Sequence, residues 1–220
     1  MNRGVGDGQY FRTWYGSRDW RFYRMFLADI VQHAEPGPIL DVGAGLGYFV
    51  EAAQRWGLAC AGLEGSADAV AMGRERYPTL NVREHRLSEP FPFADASFGV
   101  VLFNQVIEHL EAEVGAHALR EIHRVLRPSG MLLLFSPSRF NEKERVEDPT
   151  HINLYAPSEL QDLVRRTGFE RIVAQDDPLP LLGPTPLGRR VMHKVFKHVG
   201  WERLSASANV RAFKPGNPTP

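Results

Sequence analysis

Apolar runs alternate with amphipathic ones along most of the chain. Tyr23, Phe26, Leu27 and Ile30 fall at helical spacing and predict a helix over about 18–34. Pro36-Gly37-Pro38 stops it, and Ile39 to Val42 reads as a short strand running into a glycine-rich turn. Phe49 to Trp56 predicts a helix ended by Gly57, and Leu58 to Leu63 a second strand. Ser66 is placed to N-cap the next helix, which ends near Tyr77-Pro78. A short run over 80–82 and a proline-containing loop over 88–97 lead to a strand at Phe98 to Phe103. Leu119, Ile122, Val125 and Leu126 make one helix face. The turn after it has Pro128 second and Gly130 fourth, as a type I turn allows, and Met131 to Phe135 follows as a fifth strand. Pro157 opens a helix with Leu160, Leu163 and Val164 on its face and Gly168 as C-cap. Phe169 to Ala174 and Ala208 to Phe213 predict a sixth and a seventh strand.

Strands apolar on both faces, alternating with helices, call for a parallel sheet covered on both sides. That is a doubly wound α/β fold, which binds ligands at the carboxyl ends of its strands. One domain over 1–220 is expected: an N-terminal lid and helix to 35, a core over 36–175, then an inserted cap over 176–206. Pro178, Pro180, Pro184 and Pro186 break the alternation there, and a helical stretch at about 187–200 reads as the insertion.

Composition narrows the class. Hydrophobic residues are 43% and charged residues 24%, which excludes wholesale disorder. Twenty-six basic residues balance 26 acidic ones, so no net field gathers phosphate backbones, and a dedicated nucleic-acid binder is not expected. The single cysteine, Cys60, rules out an internal disulfide and a cysteine-based zinc site; it reads as a small buried hydrophobe. No run reaches the ~18 apolar residues of a membrane span. Met1 to Gln9 is polar and glycine-rich, so no secretory signal is read and the cytoplasm is the expected compartment.

The chemistry starts at Asp41-Val42-Gly43-Ala44-Gly45-Leu46-Gly47, between a strand and a helix. Glycines there let the backbone approach a ligand, and the helix start offers free N–H groups. A dinucleotide is one reading; another adenosine-containing cofactor is the other. The dinucleotide fingerprint needs a small residue at its sixth position, where this chain has Tyr48. Asp41 would repel a pyrophosphate and suits a ligand with an amino group. Glu64, at the end of the second strand, is placed to accept two ribose hydroxyls, but does so in either reading.

From Ile39 to Phe49, ILDVGAGLGYF resembles the first motif of the class I S-adenosylmethionine-dependent methyltransferases. Within them the chain is similar to the small-molecule enzymes of the ubiquinone-biosynthesis type. PFADASFGVVLFNQVIEHL (92–110) resembles the family's fourth-strand block, and LREIHRVLRPSGMLLLFSP (119–137) its helix, turn and fifth strand. HINLYAPSEL and TGFE, within 151–170, resemble the approach to the sixth strand. The resemblance implies a seven-stranded Rossmann-like sheet with its last strand antiparallel, and S-adenosylmethionine as cofactor. It implies that Asp41, Gly43, Ala44, Gly45 and Gly47 hold the methionine end, with Glu64 and Gly65 at the ribose. Leu87 and Ser88 would flank the adenine, and Asn104 would contact the cofactor from the fourth strand. Many relatives carry an Asp where this chain has Leu87, so an adenine contact would run through backbone or Ser88. Gly99 replaces an Asp common in relatives and reads as a packing variant.

Methyl transfer from a sulfonium needs positioning first and a base only where the accepting atom carries a proton. His109, past the fourth strand, and His151, in the loop after the fifth, are the candidate catalytic residues, with His151 and Tyr155 facing the acceptor. His117 and His123 read as a solvated helix face. No cluster has the spacing of a metal site, and no metal is expected. Eight aromatic residues crowd positions 10–26, and Tyr10, Trp14 and Tyr15, which show no core periodicity, are read as part of an N-terminal helical lid over a cationic sulfonium or as a wall of the acceptor pocket. The rivals are a nicotinamide-dependent oxidoreductase and a non-catalytic cofactor-binding or interaction protein.

Overall fold

The strands are β1 (Ile39–Val42), β2 (Cys60–Glu64), β3 (Val82–Glu84), β4 (Phe98–Asn104), β5 (Leu126–Phe135), β6 (Glu170–Ala174) and β7 (Val210–Phe213). They lie in the order β3-β2-β1-β4-β5-β7-β6 in a computed structural model that describes residues 8–15, 18–174, 203 and 205–216. Neighbours from β3 to β5 pair in parallel, and β7 runs antiparallel between β5 and β6. This is the doubly wound α/β sheet expected, with the last strand reversed.

The period of two along each strand divides the core. Met131 and Leu133 of β5 point into one cluster, Leu132 and Leu134 into the other. The first cluster holds Tyr23, Leu27 and Ile30 of α2 (Trp20–His33), Phe49 and Val50 of α3 (Tyr48–Arg55), and Ala69 and Val70 of α4 (Ala67–Arg76). The second holds Leu119 and Ile122 of α5 (Ala112–Val125) and Leu160 and Val164 of α7 (Pro157–Arg166). Both faces of the sheet are therefore buried, which is why its strands read as continuous apolar runs.

Local chemistry sets the helix ends. The Asp19 side chain accepts from Arg21 N at 2.8 Å and starts α2; Ser66 accepts from Ala69 N at 3.2 Å and starts α4. Glu159 accepts from Ala156 N at 2.9 Å at the proline-led start of α7. One turn departs from expectation. Ser129 takes φ +61° within the irregular stretch 127–130, between the pairs Phe98–Leu126 and Val100–Met131, so a positive φ at the third turn position replaces the type I turn. Gly99 is the packing variant it was read to be: a Cβ there would stand 3.1 Å from Arg127 Nη2 and 3.3 Å from Gly37 Cα.

The N-terminal aromatics lie on a helix of their own ahead of α2. Gly8–Tyr15 is a helix, α1, and Phe11 is buried in the α2 and α3 core cluster. One turn of aromatic side chains has no visible period until its partner surface is known, so periodicity missed it. The inserted helical stretch at 187–200 lies outside the described residues. Among the described residues, no helix is long and apolar enough to cross a membrane.

Candidate active site

At the carboxyl end of β1 the chain turns sharply and is stitched to β2. Gly43 N and Ala44 N both donate to Leu63 O, at 2.8 and 2.9 Å. Gly43 has φ +77°, and a Cβ there would come within 2.3 Å of Val106 Cγ2. Gly47, the N-cap of α3, has φ +73°, and a Cβ would meet Leu80 Cδ2 at 2.5 Å. Both positions require the left-handed region and leave no room for a side chain.

Glu64 closes the turn from the next strand. Its Oε2 accepts from Gly45 N at 2.7 Å and its Oε1 from Ser66 N at 2.8 Å. Each oxygen keeps further lone-pair capacity for a ligand. Burial raises this carboxyl above its ordinary range, and the Ser66 and Gly45 N–H groups oppose that. Asp41 is only 4% exposed, and among the described residues no cation pairs with it. Burial, then the neighbouring Glu64, pushes its carboxyl up to about 8. A desolvated carboxylate facing a cavity without a counter-charge is a place for a cationic ligand group.

That cavity has a volume of about 370 Å³. Asp41, Gly43, Ala44, Gly45, Glu64, Gly65, Leu87, Ser88 and Asn104 line it, nine of the ten residues expected at the cofactor. The tenth, Gly47, lies behind it and serves the helix start. Tyr48 does not enter the turn's close packing: its ring lies 5.8 Å from that of Tyr23 and its hydroxyl accepts from Arg76 Nη1 at 2.8 Å.

The chain is similar to known proteins in sequence and in fold. Residues 40–134 match the family described as methyltransferase domain. Over these residues the chain is similar to that family. A protein of Mycolicibacterium smegmatis named "Probable S-adenosylmethionine-dependent methyltransferase" is 35% identical over 135 residues, 60% of this chain and 51% of the relative. The demethylmenaquinone methyltransferase of Chlorobaculum parvum is 34% identical over 100 residues, 45% of this chain and 40% of the relative. The chain spans about half the length of the curated relatives it matches. A solved methyltransferase from Archaeoglobus fulgidus superposes with a TM-score of 0.71 at 17% identity, over 94% of this chain and 98% of the other, and shares the fold.

Beside the cradle lies a second cavity of about 620 Å³. Tyr10, Tyr15, Asn104, Gln105 and His109 line both cavities; His151 and Asp148 line only the second. Gln105 holds φ +55°, with its N–H on Phe135 O at 2.8 Å. A left-handed residue without glycine's freedom stores strain at the junction of the two cavities.

The acceptor-side residues form one network. Tyr10 donates to Asp148 Oδ2 at 3.2 Å, and Thr150 N and Oγ1 both donate to Asp148 Oδ1. His109 Nδ1 stands 3.2 Å from Thr150 O, and His151 Nδ1 3.2 Å from Glu144 O. The Thr150 hydroxyl proton is committed to Asp148 and a carbonyl can only accept, so His109 Nδ1 carries the proton. His151 Nε2 lies 3.7 Å from Asp148 Oδ2, and the two imidazole rings are 4.8 Å apart. Burial, then the adjacent His151, lowers His109 to about 4, so it is neutral at physiological pH.

Tyr155 lines neither of these cavities: its hydroxyl accepts from Asn153 Nδ2 at 2.6 Å and its ring packs on the α5 side of the core. The Trp14 side chain lies outside the described residues. Sequence reasoning missed Phe11, whose ring covers the Gly45 backbone, and also Gln105, Asp148 and Glu108. Glu108 is fully buried, and burial pushes its carboxyl up to about 8. A polar residue between Ile107 and His109 on a strand end was its one visible signal.

Proposed function

We propose that this domain transfers a methyl group from S-adenosylmethionine to a small-molecule acceptor. The observation that carries this reading is the pair of buried carboxylates flanking one glycine turn. Asp41 suits the cationic methionine amino group and opposes a pyrophosphate. Glu64, preset by two backbone N–H groups, suits the ribose hydroxyls. In this reading the cofactor's sulfonium supplies an already activated methyl group. Gly43, Ala44, Gly45 and Gly65 bring the backbone close to the cofactor, Leu87 and Ser88 flank its adenine, and Asn104 stands where the two cavities meet. Helices α1 and α2 are the lid.

The acceptor occupies the second cavity, against Tyr10 and Tyr15, with His109 and His151 facing it. Where its nucleophile is a hydroxyl, these imidazoles take up the proton, directly or through a group they hold. Where it is a neutral amine or an ionised oxygen, they only orient it. One relative is named a demethylmenaquinone methyltransferase, which supports a small-molecule acceptor, and the balanced charge of the chain argues against nucleic acid. A single buried thiol fits a cytoplasmic setting.

Thermal shift tests the cofactor. S-adenosylhomocysteine is expected to raise Tm by mass action, and NAD is not. A rise with NAD alone would replace this reading by a nicotinamide-dependent oxidoreductase. For the acceptor side, His151→Ala is expected to lower kcat by roughly 10²–10⁴ with a hydroxyl acceptor, at unchanged cofactor affinity.

A further inference from the structure

His109 and His151 are 42 positions apart in the sequence, and nothing in their spacing suggests a shared ligand. The fold brings them together with Glu108. One ligand atom from each of the three lies within 4.8 Å of the other two. Three ligand atoms bound to one ion at about 2.0–2.2 Å stand roughly 3–3.8 Å apart, so closing the set from 4.8 Å needs about 1 Å of side-chain movement.

Two further features point the same way. Glu108 is completely buried, and neither of its carboxylate oxygens has a hydrogen-bond partner among the described residues. The Ser136 hydroxyl is near enough to favour the ionised carboxylate, but its hydrogen bond by geometry runs to Pro137 O, at 3.3 Å. An unpartnered buried carboxylate is costly unless something absent from the protein itself satisfies it. Each imidazole, meanwhile, has its Nδ1 on a backbone carbonyl, Thr150 O or Glu144 O. That is how proteins orient metal-binding histidines, fixing the tautomer and leaving Nε2 with its lone pair.

We propose that Glu108, His109 and His151 bind a divalent first-row transition-metal ion at the junction of the two cavities. Two imidazoles and one carboxylate suit zinc, iron, manganese or nickel better than calcium. Three protein ligands leave positions open, as in metal sites that bind substrate. His109 lines both cavities, so those positions face the place where an acceptor oxygen meets the methyl donor. Asp148, already accepting from Tyr10 and Thr150, places its Oδ2 3.7 Å from His151 Nε2 and adds negative charge beside the three ligands. The ion is the group through which the imidazoles would act on an acceptor hydroxyl. Its binding does not depend on the cofactor reading.

The test is calorimetric titration of chelator-treated full-length protein with zinc chloride and, separately, manganese chloride. Saturable one-to-one binding at micromolar concentration or below is expected for at least one of them. His109→Ala and His151→Ala should each weaken it at least about 10-fold, the lower bound for losing even an outer partner of a ligand. His85→Ala, away from the site, should leave it unchanged. Glu108→Gln keeps the shape of the buried side chain and should also weaken binding. Should that variant fold poorly, cobalt(II) decides on the wild type: its visible ligand-field bands should appear on binding and be lost in His151→Ala. No saturable binding by the wild type overturns the proposal, as do histidine variants that bind like it, or an equal loss in His85→Ala. S-adenosylhomocysteine titrated into the same metal-free protein keeps the two ideas apart. Its binding without any metal binding leaves the cofactor reading standing and removes only the ion.

Discussion

The cradle at the ends of β1 and β2 and the network around His109 and His151 sit side by side and are built in opposite ways. In the cradle, Asp41, Gly43, Gly45 and Glu64 come from 24 consecutive residues, and backbone N–H groups do most of the holding. In the network, contacts join residues 41 and 138 positions apart, and side chains from α1, the end of β4 and the loop after α6 (Glu142–Glu147) do the holding. A site made from backbone constrains which residues are possible. A site made from distant side chains leaves each of them looking ordinary in its own stretch of sequence. The cradle is expected to fail steeply when altered, and the network gradually.

Gly43→Ala puts this to its hardest test. A Cβ at φ +77° and 2.3 Å from Val106 adds backbone strain to overpacking. The two are worth about 1–2 and 1–3 kcal/mol, so a stability loss of roughly 2–5 kcal/mol is expected in urea denaturation. S-adenosylhomocysteine binding should weaken further in whatever fraction folds. Unchanged stability would mean that the turn relaxes freely and that the cradle is no more rigid than the network.

Glu64→Gln comes next. Loss of hydrogen bonds to a charged acceptor is expected to weaken cofactor binding by about 1.5–3 kcal/mol in calorimetry. Sequence reasoning predicts no effect on the empty fold. The structure corrects this, because Glu64 accepts from Gly45 N and Ser66 N and so holds the turn even without ligand. A fall in the Tm of the empty protein is therefore expected as well, and Tm unchanged with affinity lost would return Glu64 to a purely ligand-binding role.

Asp41→Asn separates charge from shape. The folded Asp41 has its carboxyl raised to about 8, against an ordinary value near 3.9 in the unfolded chain. Between those values the folded protein binds the extra proton, so this residue lowers stability progressively as pH rises from about 4 to about 8. Asp41→Asn should remove that slope, so that the variant gains on the wild type in Tm between pH 6 and 8.5. Cofactor binding to the wild type should release a proton below pH 8, read from the buffer dependence of the binding heat. Absence of proton release would show that Asp41 does not meet the cation.

These differences also explain what was legible in the sequence. The strands at 39–42 and 98–104 were readable because burial on both faces leaves unbroken apolar runs, and the caps Ser66 and Gly168 because each answers a local need. The cradle was readable for the same reason: a glycine forced by φ and an acid at each strand end leave marks within one short segment. Helix α1 was not, since its one buried face answers to α3 and the Gly45 backbone, far along the chain. Glu108 and Asp148 were not, because a buried acid and an exposed one look alike until the surrounding chain is folded. Tyr155 was expected at the acceptor because its loop leads there, and packing turned it into the core.

The smallest effect is expected where the network is thinnest. The Tyr10 hydroxyl is 3.2 Å from Asp148 Oδ2 and ties α1 to the loop that carries His151. Tyr10→Phe keeps the ring, which stands edge-on to His109 at 6.2 Å, and removes only the hydroxyl. A part-buried hydrogen bond of this length should contribute at the lower end of about 0.5–1.5 kcal/mol to stability. Asp148 retains the two donors from Thr150, so the carboxylate is not left unsatisfied. Asp148→Asn alone should cost more, because it disturbs the Thr150 contacts and the neighbour of His151 together. A double-mutant cycle over the two positions isolates the bond itself, and a coupling of roughly 0.5 kcal/mol or more marks α1 as tied to the acceptor loop. In activity, Tyr10→Phe should raise the acceptor KM with kcat and cofactor affinity near the wild type, since the lid is loosened and the cradle is untouched. Additivity within error, with KM unchanged, would mean that α1 covers the two cavities through its rings alone.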